Sequence, residues 1–215
     1  MDKRFLIQID FDGTITEKDV STILLDHFAQ GEWRQLLTQY RNGQLTVDQL
    51  NIQAFSMVKA SKEALIQTAR KEATIRNGFP QLVSYVRENN IPMVIVSYGL
   101  DIYIRALLRD QNADSFPFHA AQTQYHPQGW RLHYTDPEGK PLKGNMKEKH
   151  TLNFIRQGYK VIYIGNGKSD INPLHHAFLG FATGKLARYC QKKNLDCLPF
   201  DDFFEVMKVL QTQLF

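Results

Sequence analysis

Two aspartates one residue apart stand at the end of an apolar stretch near the start of this 215-residue sequence. The stretch is FLIQIDFDGTIT, and its aspartates are Asp10 and Asp12. Like charges held close together are costly unless a proton or a cation compensates them. Carboxylates also serve as nucleophiles and as general acids or bases. The pair therefore predicts a reactive site that includes a positive charge.

Two further polar clusters follow apolar runs that have the composition of buried strands. The tripeptide SYG at 97–99 closes one run, and GNGKSD at 165–170 closes another. The carboxyl ends of parallel strands meet at one edge of an open sheet, where ligands bind. We therefore expect both clusters to lie beside the aspartate pair.

Four short runs are β-branched or aromatic with little alternation, as expected of parallel strands covered on both faces. These runs are residues 4–9, 92–97, 160–165 and 179–183. Helical patterns lie between them. Alternating strands and helices predict an α/β fold with a Rossmann-like, doubly wound parallel sheet.

The first two strands are separated by about 80 residues, far more than one crossover helix needs. This stretch contains helical patterns at roughly 20–30, 32–42, 47–59 and 62–71. We therefore expect a helical cap domain at 17–76, inserted into a core domain formed by 1–16 and 77–215. Before the strand at 160–165, aromatic runs flanked by turn residues predict a small β-hairpin flap.

The composition is that of an ordinary globular protein, with 43% hydrophobic and 22% charged residues. The formal net charge of +4 is scattered and forms no basic, aromatic-rich groove, so we expect no nucleic-acid partner. The sequence has no apolar run long enough for a membrane span, no signal-peptide pattern, and only two cysteines. These features predict a cytoplasmic protein without a membrane partner.

The order of the motifs resembles that of the haloacid dehalogenase (HAD) superfamily of phosphohydrolases. DFDGT comes first, an apolar strand ending in Ser97 second, a lysine third and GNGKSD fourth. The helical insertion between the first two motifs is similar to that of the subgroup that includes phosphoserine phosphatases. The resemblance covers nearly the whole chain and implies a Mg²⁺-dependent phosphatase with an aspartyl-phosphate intermediate.

The resemblance also implies a role for each motif. Asp10 would be the nucleophile, and Asp12 the general acid and base. The phosphate would be bound by Phe11, Ser97, Tyr98, Gly99 and a lysine. Ser97 is expected at the turn into a helix, whose first N–H groups suit a phosphate oxygen. Of Lys143, Lys147 and Lys149, which lie near the start of one expected helix, Lys147 best fits the family spacing.

The implied metal site contains Asp10, the backbone carbonyl of Asp12, residue 166 and Asp170, which would order a bound water. Residue 166 departs from the family pattern because it is Asn166 where an aspartate is usual. An amide oxygen can coordinate Mg²⁺ but lacks the charge of a carboxylate. We therefore expect weaker Mg²⁺ binding than in most members of the family.

In this subgroup the cap contacts the leaving group of the substrate, and Glu17, Asp19 and Arg34 are candidates for that contact. We expect a small phosphorylated metabolite as the partner, and a monomer or homodimer. Phosphoserine and other metabolites stay open as substrates. A phosphometabolite-binding protein with a weakened metal site is one alternative. A glycosyltransferase with an Asp-x-Asp motif is another, although it gives no reason for the later motifs to follow in this order.

Overall fold

A seven-stranded sheet forms the centre of the computed structural model, which describes residues 4–214. Its strands are β1 (Phe5–Ile9), β2 (Met93–Leu100), β3 (Phe118–Gln124), β4 (Arg131–His133), β5 (Lys160–Gly165), β6 (Leu179–Ala182) and β7 (Leu198–Pro199). Every residue of β1 and β2 is buried, because helices and loops cover both faces of these apolar strands. The predicted α/β class is confirmed.

The strand order across the sheet is β4-β3-β2-β1-β5-β6-β7. Neighbouring strands pair in parallel except β3 and β4, which are antiparallel. From β1 the chain moves outward to β2 and β3, and then returns to β5 on the other side of β1. The direction of winding reverses there, so the carboxyl ends of β1 and β5 border the crevice where such sheets bind ligands.

The helices of the described residues follow several local sequence signals. They are α1 (Val20–Phe28), α2 (Trp33–Arg41), α3 (Val47–Phe55), α4 (Lys62–Glu72), α5 (Phe79–Glu88), α6 (Asp101–Asp110), α7 (Met146–Arg156), α8 (Ile171–His176), α9 (Gly184–Lys193) and α10 (Phe203–Gln213). Thr46 and Gln49 form a capping box at α3, and Pro80 lies in the first turn of α5. Within residues 4–214, none of the helices has the length and apolar character that crossing a membrane requires.

Helices α1 to α4 confirm the four helical patterns predicted between the first two strands. The two ends of this segment meet, because Thr16 and Ile75 form an antiparallel bridge and the Arg76 N–H donates to the Ile15 carbonyl at 2.8 Å. The Arg76 guanidinium also donates to the Gly13 carbonyl at 3.0 Å. The helical segment therefore leaves and rejoins the sheet at one place.

The predicted flap is a hairpin of β3 and β4, but β3 is also a full member of the main sheet. In the hairpin loop, the Trp130 N–H donates to the Phe55 carbonyl at 3.1 Å, and the Trp130 indole N–H donates to the Ala60 carbonyl at 3.0 Å. These contacts place the hairpin loop against the end of α3. The hairpin and the helical segment therefore form one packed unit over the sheet edge.

Candidate active site

Asp10 begins a tight turn directly after β1. Its N–H donates to the Ile164 carbonyl at the end of β5, at 2.9 Å, and the turn continues through Gly13 with a φ of +75°. Glycine suits this position because its φ is left-handed and because a side chain there would collide with Asn166. The side chain of Phe11 is buried against the ring of Tyr103, at a centroid distance of 6.2 Å.

The side chain of Lys147 joins two carboxylates in the protein interior. Its Nζ lies 2.8 Å from Asp10 Oδ1 and 2.7 Å from Asp170 Oδ1, and all three residues are buried. Burial by itself would lower the pKa of Lys147, but the two carboxylates raise it above its usual value. Burial raises the pKa of Asp10 to about 7, and the ammonium of Lys147 opposes that rise. The structure thus provides the positive charge that the aspartates require.

Two neutral residues hold Lys147 in place. Asn145 caps α7 by accepting the N–H groups of Lys147 and Glu148, at 3.0 and 3.3 Å. Gln8, within β1, donates to the Lys147 carbonyl at 2.9 Å and accepts the Thr151 hydroxyl at 2.8 Å. Sequence analysis missed Gln8, although a polar residue inside an otherwise apolar strand was the available signal.

Asp170 is the anchor of this cluster. Its Oδ1 accepts the Tyr163 hydroxyl at 2.6 Å as well as Lys147, and its Oδ2 accepts the N–H groups of Asn166 and Gly167, at 3.1 and 2.8 Å. Each carboxylate oxygen therefore already has two donors. In this arrangement the oxygens of Asp170 fix the lysine and the GNGKSD loop, and its role in ordering a metal-bound water stays a prediction.

The carboxyl group of Asp12 is held at both oxygens. Oδ1 accepts the Val20 N–H at 2.9 Å, and Oδ2 accepts the Tyr103 hydroxyl at 2.5 Å. Burial raises the pKa of Asp12 well above its usual value, and the charge of Asp19 adds to that rise. A raised pKa suits a general acid, which must carry a proton at the start of a reaction.

Ser97 lies within the last residues of β2, and not in the turn into a helix as predicted. The strand continues past it to Leu100, and its pairing with β3 is irregular there. Ser97 Oγ accepts the Gly99 N–H at 3.0 Å and lies 3.5 Å from Asp12 Oδ2. A side chain at Gly99 would collide with the Asp12 carboxylate and the Tyr103 hydroxyl. The close packing of the β2 backbone against these two groups therefore requires glycine.

The side chain of Tyr98 is used inside the protein. Its hydroxyl accepts the Met146 N–H at 2.8 Å and lies 3.4 Å from Asn145 Oδ1, and its ring packs against Tyr134. A phosphate contact by Tyr98 would therefore come from its backbone N–H. The side chain instead ties the end of β2 to the helix that carries Lys147.

The residues available to a metal ion are oxygen donors with little charge. Among residues 4–214, no group of three or more His, Cys, Asp and Glu side chains is arranged to hold a metal. The amide of Asn166 lies against Gly13, so it can join the Asp10 carboxylate and the Asp12 carbonyl at the turn after β1. Carboxylate, amide and backbone oxygens suit Mg²⁺, which keeps several water ligands. The donor set fits Mg²⁺ with one protein carboxylate as ligand.

The predicted cap residues differ in their surroundings. Asp19 caps α1 and acts electrostatically on Asp12. Arg34 is exposed and pairs with Asp26 at 2.8 Å, and Glu17 is also exposed. The structure therefore brings Asp19 into the electrostatic environment of the aspartate pair and leaves the other two candidates at the surface.

Tyr40 on α2 faces the site, although no sequence motif indicated it. The ammonium of Lys168, in the GNGKSD loop, lies 5.3 Å from the centre of its ring. Burial raises the pKa of Tyr40, and the charges of Lys147 and Asp170 act on it in opposite directions. These interactions place the Tyr40 phenol above the loop that follows β5.

The sequence model of the haloacid dehalogenase-like hydrolase family matches residues 7–175 of this chain. The match includes the aspartate pair, Ser97, Lys147 and the GNGKSD loop, and the sheet and site have the arrangement just described. The chain belongs to the haloacid dehalogenase-like hydrolases.

Curated relatives and solved structures extend this comparison. The chain is 28% identical over 207 residues to the 2-hydroxy-3-keto-5-methylthiopentenyl-1-phosphate phosphatase of Bacillus pumilus (strain SAFR-032), covering 95% of this chain and 90% of the relative. It is 31% identical over 204 residues to the protein of the same name from Bacillus velezensis, covering 94% and 87%. A phosphoserine phosphatase with a phospho-aspartyl intermediate analogue superposes with a TM-score of 0.73 at 20% identity, covering 96% and 99%. At that identity the structural likeness shows the fold alone.

Proposed function

We propose that this protein is a phosphomonoesterase that transfers a phosphoryl group from a small metabolite to Asp10 and then to water. The observation that carries the proposal is the buried contact between Lys147 Nζ and Asp10 Oδ1 at the sheet edge. The other oxygen, Oδ2, accepts the Thr14 hydroxyl at a long 3.3 Å, and the Phe11 N–H also acts on the carboxylate. Asp10 therefore has a weakly held oxygen for attack and a fixed counter-charge.

The chemistry proceeds in two displacements. In the first, an Asp10 oxygen forms a bond to phosphorus, the bond to the leaving oxygen breaks, and Asp12 gives its proton to that oxygen. In the second, the Asp12 carboxylate takes a proton from water as the water oxygen attacks phosphorus, and Asp10 leaves as a carboxylate. Lys147, Ser97 and backbone N–H groups of Phe11, Tyr98 and Gly99 bind the phosphate oxygens.

The charge balance of the site favours a bound cation. The carboxylates of Asp10 and Asp170 and the ammonium of Lys147 leave one net negative charge, which a phosphate dianion would increase. We propose that Asp10, the Asp12 carbonyl and Asn166 hold Mg²⁺, while Asp170 fixes Lys147. Bound Mg²⁺ reduces the repulsion between the nucleophile and the incoming phosphate.

The substrate proposal rests on the curated relatives, whose name identifies 2-hydroxy-3-keto-5-methylthiopentenyl-1-phosphate. We propose this compound as the substrate, and residues 17–76 as the cap that closes over its leaving group. Two residues of that segment are near the site. Tyr40 lies against Lys168 of the GNGKSD loop, and the charge of Asp19 acts on Asp12. The free thiols of Cys190 and Cys197 fit the reducing cytoplasm as the location. A higher kcat/KM for phosphoserine than for this compound would contradict the proposed substrate and leave the phosphatase proposal unchanged.

Substitution of the nucleophile tests the reaction. Asp10→Asn is expected to abolish hydrolysis of an aryl phosphate, because an amide cannot form the acyl-phosphate. The wild-type rate is expected to fall after chelation and to return with Mg²⁺. Asp114→Asn is the matched control, since Asp114 is exposed and pairs only with Arg109 at 3.7 Å among the described residues. Turnover by Asp10→Asn, or a wild-type rate that does not change after chelation, would contradict the proposal.

A further inference from the structure

Strand β2 is irregular where it reaches the site. It pairs with β3 at Val96 and His119 and again at Leu100 and Ala121, so three residues of β2 lie opposite one residue of β3. Such a bulge turns the strand and leaves backbone groups without partners in the ladder. The residues of this bulge are Ser97, Tyr98 and Gly99, which the proposed function places around the phosphate.

Two side chains supply the hydrogen bonds that the ladder does not. The Tyr98 carbonyl accepts the Asn51 amide N–H at 3.0 Å and the Tyr134 hydroxyl at 2.7 Å. The same Asn51 amide lies 3.3 Å from the Tyr134 hydroxyl oxygen, and both side chains are buried. Because the carbonyl only accepts, the amide nitrogen of Asn51 must face it.

The two donors come from separate parts of the chain. Asn51 lies on α3, within the helical segment, and Tyr134 directly follows β4 of the hairpin. An asparagine in the buried face of a helix is costly unless it is hydrogen-bonded, and an apolar residue would pack there without that requirement. We therefore attribute the two polar side chains to holding the bulge, because filling the core does not require them.

The covalent geometry carries this contact to the phosphate ligands. The Tyr98 carbonyl and the Gly99 N–H belong to one planar peptide unit, so holding the first sets the direction of the second. The Gly99 N–H in turn donates to Ser97 Oγ at 3.0 Å. We propose that Asn51 and Tyr134 are positioning residues that orient Ser97 and Gly99 to bind phosphate, an inference that rests on the proposed function of the same site.

Orthophosphate binding tests this inference without requiring turnover. The variants are Asn51→Leu, which removes the amide at similar volume, and Tyr134→Phe, which removes only the hydroxyl. The control is Gln53→Leu, which replaces an exposed amide on the same helix. Calorimetry with inorganic phosphate is expected to show about five- to tenfold weaker binding for each of the first two variants and unchanged binding for the control.

A double variant separates positioning from general destabilisation. Asn51 and Tyr134 serve one carbonyl, so Asn51→Leu/Tyr134→Phe is expected to lose less affinity than the product of the single losses. Unchanged phosphate affinity in Tyr134→Phe and Asn51→Leu, with lower thermal stability, would overturn the inference, because a structural role alone produces that result. If the wild type binds phosphate but does not hydrolyse esters, the proposed function fails while the affinity comparison still decides the positioning role.

Discussion

Tyr103 links the carboxyl group of Asp12 to the helical segment. Its hydroxyl donates to Asp12 at 2.5 Å and lies 2.9 Å from the hydroxyl of Ser21 on α1. A proton donor is effective only when it is oriented toward the leaving oxygen, and small displacements are costly. Tyr103 is therefore expected to position the general acid without touching the phosphate.

Removal of the Tyr103 hydroxyl tests that role. Tyr103→Phe is expected to lower kcat/KM for phenyl phosphate about tenfold, a part of the about 100- to 10,000-fold that general acid–base catalysis contributes. The loss should be smaller with p-nitrophenyl phosphate, whose leaving oxygen needs less protonation. Kinetics with both esters measure the difference. Equal losses for both esters would show that Tyr103 does not act through Asp12.

The residues of the candidate site differ in how far sequence could predict them. Asp10 and Asp12 are indicated by residue type and spacing, whereas Lys147 was chosen among three nearby lysines by the spacing of the family that the chain resembles. Gln8 and Tyr103 are not indicated, because their roles depend on which helices come to lie beside β1 and the aspartate turn. The fully used oxygens of Asp170 depend in the same way on tertiary contacts.

At the scale of elements, the hairpin loop and the end of α3 are in close contact. Gly129 has a φ of +134°, and a side chain there would collide with the Ser56 carbonyl. Trp130 is buried beside it and donates two hydrogen bonds to α3 and the residues that follow. This contact holds the hairpin on the helical segment that supplies Asn51.

Two glycine variants measure that contact. Gly129→Ala is expected to lower the free energy of unfolding by about 1–3 kcal/mol more than Gly31→Ala, since overpacking adds to backbone strain. Gly31 is the matched control because its φ is +139° and its nearest neighbour would be Met57 Sδ at 3.5 Å, an ordinary contact. Urea unfolding of both variants gives the comparison. Equal destabilisation would show that the loop can leave α3 without cost.

Local sequence pattern predicts some strands of the sheet and fails to predict others. Strands β1 and β5 were predicted because their apolar residues are buried on both faces. Strand β3, FHAAQTQ, carries no such pattern, since it owes its place to pairing with β2 on one side and β4 on the other. The bulge in β2 exists only relative to β3, so neither the bulge nor the true position of Ser97 could be read from the sequence.

At the scale of the whole molecule, a pair of stacked histidines couples stability to pH. The rings of His119 on β3 and His150 on α7 lie 4.0 Å apart, and Nε2 of His150 is buried without a hydrogen-bond partner among the described residues. Burial and, to a smaller extent, the neighbouring His119 lower the pKa of His150 to about 3, and Asp136 opposes the shift. The folded protein therefore keeps His150 neutral at pH values where an unfolded chain would protonate it.

The sign of the effect follows from proton uptake. Above the unfolded pKa of about 6.5, His150 is neutral in both states and its contribution to stability is fully present. Between that value and about pH 3, only the unfolded chain binds the proton. The free energy of unfolding therefore decreases by up to about 1.4 kcal/mol for each pH unit by which the pH is lowered. His150→Phe is expected to remove this slope, and the exposed control His175→Phe to retain it, in urea unfolding from pH 4.5 to 7.5. The same slope in wild type and His150→Phe would mean that the buried ring titrates as it does in the unfolded chain.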